Sequence, residues 1–273
     1  MGTTLNTDKR PIGIFDSGVG GLSVLKELVK LMPKENYIFV ADQTNVPYGE
    51  KSKKELGRLT LKICDFLVSK NSKIIVVACN TATCNVIDIL RAKVKIPLVG
   101  TVPAVKPAAI SSRSGVIGIL STPSTSKSRG LKKLIETHAN NTKVINIGCS
   151  DLEDTVETGN LSSPKITQLL SKYTESMRIA GADVVVLGCT HYPFLKPQIK
   201  RVLRSNAKLV DSGRAIAKHT KNLLQQMGAL FVSRAKTTSR TCVDFYTTGN
   251  PSHFSRVASS LLKSPVRAKR ISL

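Results

Sequence analysis

Lys73-Ile-Ile-Val-Val-Ala-Cys79-Asn-Thr81 returns 110 residues later as Asp183-Val-Val-Val-Leu-Gly-Cys189-Thr-His191. Each copy begins with a short apolar run of the kind that fills a strand buried on both faces, and each ends in a cysteine followed by polar residues. A weaker echo, offset by 105 residues, relates Ile14-Phe-Asp16-Ser17 to Ile119-Leu-Ser121-Thr122. Together the echoes predict two related halves, each closing one strand in a small-residue loop and another in a cysteine loop. Outward from these stretches, apolar runs alternate with amphipathic ones. A strand at 12–15, a turn at 18–21 and a helix at 22–31 are followed by a strand at 37–41 and a helix at 53–68, then by a strand at 74–78 and a helix through Val86, Ile87 and Leu90. Such alternation implies parallel sheets covered by helices. The expected fold is α/β, with two pseudo-symmetric, doubly wound domains, mainly parallel sheets and a site in the cleft between them, where the carboxyl ends of the strands meet. The boundaries read as 1–99 plus 214–273 for the first domain and 100–213 for the second, with Pro97, Pro103 and Pro107 at the first crossing and 211–214 at the second. A late strand at 243–246 is expected to return to the first sheet.

Composition removes several function classes. The chain has 273 residues, 41% of them hydrophobic, enough for real cores. No window reaches the roughly 18 uninterrupted apolar residues of a membrane helix, and the polar stretch from Met1 to Arg10 lacks an export signal, so the expectation is a cytoplasmic chain with reduced thiols. Six cysteines without a Cys-x-x-Cys pair, and four scattered histidines, point to neither a disulfide framework nor a metal site. The formal charge is +23, and residues 201–273 hold 14 of the 41 basic residues against two acidic ones. That surface is expected to contact polyanions weakly and without sequence preference. Neither base-reading spacing nor tryptophan accompanies it.

The matched cysteines carry the chemistry. A thiol at a helix N-terminus has its thiolate stabilised by backbone N–H groups, and two such thiols in equivalent positions suit two acid–base groups on opposite faces of one bound molecule. Cys64, Cys84, Cys149 and Cys242 lack this symmetry and are read as packing residues. His191, two residues after Cys189, is placed to share its proton, whereas His138, His219 and His253 are read as surface or packing residues. Asp16-Ser17-Gly18-Val19-Gly20-Gly21 sits between a strand and a helix and forms an anion site by geometry. Only part of a dinucleotide fingerprint is present, with Asp42 keeping that alternative open. Glu157 lies in an acidic stretch with Asp151, Glu153 and Asp154 that also reads as a solvated face.

Phe15-Asp-Ser-Gly-Val-Gly-Gly-Leu-Ser23, Val46-Pro-Tyr-Gly49, Ala78-Cys-Asn-Thr-Ala82 and Gly188-Cys-Thr-His-Tyr-Pro193 resemble the four signature segments of the glutamate racemases, in the family's order and spacing. The similarity extends to Val156-Glu-Thr-Gly159 and Thr248-Gly-Asn-Pro251. It implies cofactor-independent interconversion of L- and D-glutamate by two cysteines, supplying D-glutamate for peptidoglycan, with neither metal nor pyridoxal phosphate. Cys79 would exchange the α-proton on the D-glutamate side, assisted by Asp16, and Cys189 on the L-glutamate side, assisted by His191 and Glu157. Asp16, Ser17, Tyr48, Gly49, Asn80, Thr81, Thr190 and His191 would hold the substrate, with hydroxyls from Thr122 and Thr125 and mainly backbone contacts at 48–49. The amides of 18–21, with Asn80, Thr81 and Thr190, would stabilise the carbanion. A homodimer is expected. Leu131 departs from the family, which often has tyrosine nearby. The alternatives are a related racemase with another substrate, such as aspartate, and a non-catalytic nucleotide- or nucleic-acid-binding protein.

Overall fold

The computed structural model describes residues 8–204, 207–232 and 241–273; most of the polar stretch from Met1 to Arg10 lies outside them. In chain order the elements are β1 (Ile12–Asp16), α1 (Leu22–Leu31), β2 (Tyr37–Ala41), α2 (Lys53–Ser69), β3 (Ile74–Val77), α3 (Asn80–Lys93) and β4 (Leu98–Gly100). There follow α4 (Val105–Ser111), β5 (Val116–Ser121), α5 (Pro123–Ser126), α6 (Arg129–His138), β6 (Lys143–Gly148), α7 (Leu152–Glu157), α8 (Pro164–Ile179), β7 (Val184–Leu187), α9 (Lys196–Leu203) and β8 (Lys208–Val210). The chain closes with α10 (Gly213–Gln226), β9 (Val243–Thr247), α11 (Pro251–Leu262) and β10 (Ala268–Arg270).

Among the described residues the strands form two sheets, ordered β10-β9-β2-β1-β3-β4 and β6-β5-β7-β8, and every pairing is parallel. The block β2-β1-β3-β4 has the same order as β6-β5-β7-β8, so the repeat seen in sequence is a repeat of topology. Both echoes fall in one register: Phe15 pairs with Val77, and Leu120 pairs with Leu187. The late strand returns to the first sheet as expected, with Tyr37 opposite Val243.

Every residue of β1, β3 and β7 is buried, as continuous apolar runs in a sheet covered on both faces require. Each fully buried aliphatic side chain contributes roughly 1.5–3 kcal/mol. One apolar cluster runs without a break from Ile14 and Val76 of the first sheet to Val185 and Leu187 of the second. Local signals start the helices. Ser52 accepts from the Glu55 amide at the head of α2, Ser128 from the Leu131 amide at the head of α6, and Asn250 from the amides of Ser252 and His253 before α11, which opens with Pro251. Leu131, the departure noted in sequence, is fully buried on the inner face of α6. A buried ion pair pins the amino-terminal end of the first sheet: Lys73 Nζ lies 2.7 Å from Glu35 Oε2 and donates to the Ala229 and Asp8 carbonyls, while Glu35 Oε1 accepts from the Phe231 amide.

Candidate active site

The carboxyl ends of β1, β2 and β3 in one sheet, and of β5 and β7 in the other, converge on one cleft. Ser17, Tyr48, Gly49, Cys79, Asn80 and Thr81 line it from the first half, and Cys189, Thr190 and His191 from the second. Asp16, Thr122, Thr125 and Glu157 stand behind that lining and hold it in place. The Thr190 hydroxyl donates to Asp16 Oδ2 at 3.0 Å, tying the two halves together, while Asp16 Oδ1 is buried without a partner. Thr81 Oγ1 lies 3.0 Å from Thr122 Oγ1 and 3.2 Å from Thr125 Oγ1, a second hydroxyl link across the halves. The Tyr48 phenol donates to Asp42 Oδ2 at 2.7 Å, which leaves backbone as the readier contact of the 48–49 turn.

The surroundings of the two thiols differ. Cys79 is the N-cap of α3, in the position expected. Burial pushes its thiol well above the ordinary cysteine range, and the Asp16 carboxylate pushes the same way. Cys189 departs from expectation, because β7 is followed by a short 3-10 turn (Tyr192–Leu195) before α9, so this thiol does not head an α-helix. Its support is a side chain instead: Cys189 Sγ lies 3.5 Å from His191 Nδ1, and His191 Nε2 lies 2.7 Å from Glu157 Oε1. Burial raises the Cys189 thiol and His191 opposes that rise. For His191 burial works against the charged ring, but the sulfur on one side and the Glu157 carboxylate on the other hold the imidazolium well above its ordinary range. Burial also opposes ionisation of Glu157, yet His191, Gln43 and the Val19 amide together hold its carboxyl below the usual value.

Glu157 is therefore no part of a solvated face. Its Oε1 accepts from the Val19 amide at 2.7 Å and its Oε2 from Gln43 Nε2 at 2.8 Å. The first of these corrects the expectation for the glycine-rich turn, whose anion site is occupied in part by the protein's own carboxylate. A β-carbon on Gly18 would overlap that carboxylate, which is the steric reason for glycine there. The expected carbanion donors are likewise partly engaged, since Thr190 donates to Asp16 and Asn80 Nδ2 to the Thr101 carbonyl. Asp42, which kept the dinucleotide alternative open, has its carboxylate taken up by Tyr48, Asn45 and Thr248. His253, read as a surface or packing residue, packs against the site from outside: its Nε2 lies 2.9 Å from the Glu157 carbonyl oxygen. Sequence reasoning passed over Gln43, whose carbonyl accepts from Thr247, and Glu153, which lines the cleft. Their place after strand ends was the available signal. Cys64 and Cys84, each raised by burial to about 12, have no comparable ring partner and pack as expected.

The sequence model of the Asp/Glu/Hydantoin racemase family matches residues 12–220. A glutamate racemase of Ectopseudomonas mendocina is 42% identical over 235 residues, covering 86% of this chain and 89% of that protein. Two solved structures superpose over nearly the whole chain. Glutamate racemase from Francisella tularensis in complex with D-glutamate has a TM-score of 0.83 at 29% identity, covering 97% of this chain and 98% of the other. The Escherichia coli glutamate racemase in complex with L-glutamate and activator UDP-MurNAc-ala has a TM-score of 0.83 at 31% identity, covering 96% and 98%.

Proposed function

The chain belongs to the Asp/Glu/Hydantoin racemase family, and on that premise we propose that it interconverts L- and D-glutamate by passing the α-proton between two thiols. The observation that carries this reading is the arrival of Cys79 and Cys189 in one cleft from equivalent strand ends of two sheets that share a four-strand order. Inversion of a stereocentre removes a proton from one face and delivers one to the other, which two fixed groups do without rearrangement. Cys189 as thiolate takes the α-proton of L-glutamate, and the Cys79 thiol delivers its own proton to the opposite face, leaving a thiolate there. The reverse reaction exchanges the roles. Glu157 fixes the His191 ring with one nitrogen toward Cys189, and the imidazolium stabilises the thiolate that forms. Asp16, with one free oxygen beside Cys79, accepts from the substrate ammonium and assists that thiol.

The two relatives crystallised with opposite enantiomers of glutamate support the choice of substrate. The reading includes two domains divided as 1–99 plus 214–273 and 100–213, a cytoplasmic homodimer, supply of D-glutamate to peptidoglycan, and weak polyanion contact through the basic final quarter. It needs neither metal nor pyridoxal phosphate. The test is solvent exchange. In deuterium oxide, with chelator and hydroxylamine present, L-glutamate should gain α-deuterium and yield D-glutamate. Exchange into aspartate but not glutamate would contradict the substrate assignment, and activity that depends on added pyridoxal phosphate or a divalent metal would contradict the mechanism.

A further inference from the structure

Among the described residues, Glu153 is the carboxylate that lines the cleft together with both thiols. An acid in the first turn of a helix ordinarily points to water, where it complements the helix dipole. Glu153 sits in that position on α7 but is only 8% exposed. Its own backbone amide favours the ionised carboxylate, but burial is the larger influence and pushes its carboxyl above the usual range. The groups that act on it, or that it acts on, are His191, Cys189 and Tyr192 after β7, Cys149 after β6, and Asp151 and Asp154 on its own segment. Only His191 among them favours its ionised form; the two neighbouring acids oppose it. An ionised Glu153 in turn opposes thiolate formation at Cys189.

A cleft that takes a dicarboxylic amino acid needs donors for two carboxylates and an acceptor for one ammonium. The unpartnered Asp16 oxygen serves as the acceptor. A second negative charge beside Cys189 would repel the substrate and the reacting thiolate alike. A neutral carboxylic acid in the same place is instead a donor, and burial beside other acids is how proteins keep one protonated. We propose that Glu153 is a specificity-determining residue of this cleft: as a neutral acid it donates a hydrogen bond to a carboxylate of a dicarboxylic amino-acid substrate, and once ionised it disfavours that substrate. This rests on the reading of the cleft as the glutamate site.

The experiment measures KM and kcat for L- and D-glutamate from about pH 6 to about pH 9 in the wild type, Glu153→Gln and Glu153→Leu. Thermal melts verify that each variant is folded. Wild-type turnover of glutamate, measured first, tests the proposed function by itself, so the comparison of variants tests only the role of Glu153. The wild-type KM should rise with pH. Glu153→Gln, a permanently neutral donor of the same shape, should hold KM near the wild-type low-pH value throughout. Glu153→Leu should show a pH-independent KM raised roughly tenfold, the loss of one hydrogen bond to a charged group. The proposal is overturned if Glu153→Gln keeps the wild-type pH trend. It is equally overturned if Glu153→Gln raises KM tenfold or more at low pH, since that would mean an ionised Glu153 holds the ammonium. Glutamine carries the test even if the leucine variant fails to fold.

Discussion

Asp16 is fully buried, with one oxygen held by the Thr190 hydroxyl and the other unpartnered, and burial pushes its carboxyl above the ordinary value of 3.8. An acid whose pKa rises on folding binds its proton more tightly in the folded chain. The folded state is therefore penalised at pH above that raised value, and the penalty vanishes below the unfolded value. Asp16→Asn should raise stability at neutral pH by on the order of 1 kcal/mol and leave it unchanged in acid, while racemisation falls steeply. Denaturant titrations at the two pH values check this; equal stability of variant and wild type at neutral pH would show that the site stores no such cost. Asp16, Cys79, Cys189 and His191 were legible as residues because their spacing after strand ends is a sequence property. Gln43 and Glu153 also follow strand ends but were passed over, since what sets them apart is the bond of Gln43 to Glu157 and the place of Glu153 in the folded cleft. Glu157 reads from sequence as one acid among four, and only its convergence with Val19, Gln43 and His191 separates it from its neighbours.

The strand-and-helix alternation was open to reading because β1, β3 and β7 are buried on both faces and so carry uninterrupted apolar runs. The capping residues Ser52, Ser128 and Asn250 sit where their helices begin. The 3-10 turn after β7 was hidden, because Thr190-His191-Tyr192-Pro193 also reads as an ordinary helix start with proline in the first turn. The Lys73–Glu35 pair escaped notice for a different reason: nothing local marks a lysine at the edge of an apolar run as buried, and its partners come from three distant segments. Breaking a buried pair strands the remaining charge. Lys73→Met should destabilise the protein by about 3–5 kcal/mol with little effect on KM in the protein that remains folded. Adding Glu35→Leu should recover part of that loss, the remainder reflecting the Phe231 amide and Ala229 carbonyl left without partners. Urea unfolding of the single and double variants measures both; a single-variant loss within about 1 kcal/mol would show that the pair is no better than a surface one.

At the scale of the whole molecule, four strands of the first sheet repeat the strand order of the second, and each sheet brings one thiol to the shared cleft. Residues 201–273 carry 14 basic residues against two acidic ones, without base-reading spacing in their sequence. Duplex DNA should therefore bind weakly at low salt and release at moderate salt, irrespective of sequence; a tight, sequence-selective complex in a mobility assay would contradict that reading. The central claim, that each half contributes its own base to opposite faces of one substrate, is tested most directly by half-reactions in single-thiol variants. A glutamate analogue with a β-leaving group eliminates once its α-proton is removed, so either thiol can be followed without full turnover. Cys79→Ser and Cys189→Ser should both lose racemisation by several orders of magnitude, on the order of what removing an acid–base group costs. Cys79→Ser should still eliminate from the L-analogue alone, and Cys189→Ser from the D-analogue alone. Elimination lost equally from both enantiomers in each variant, or retained from both in either one, would contradict the account.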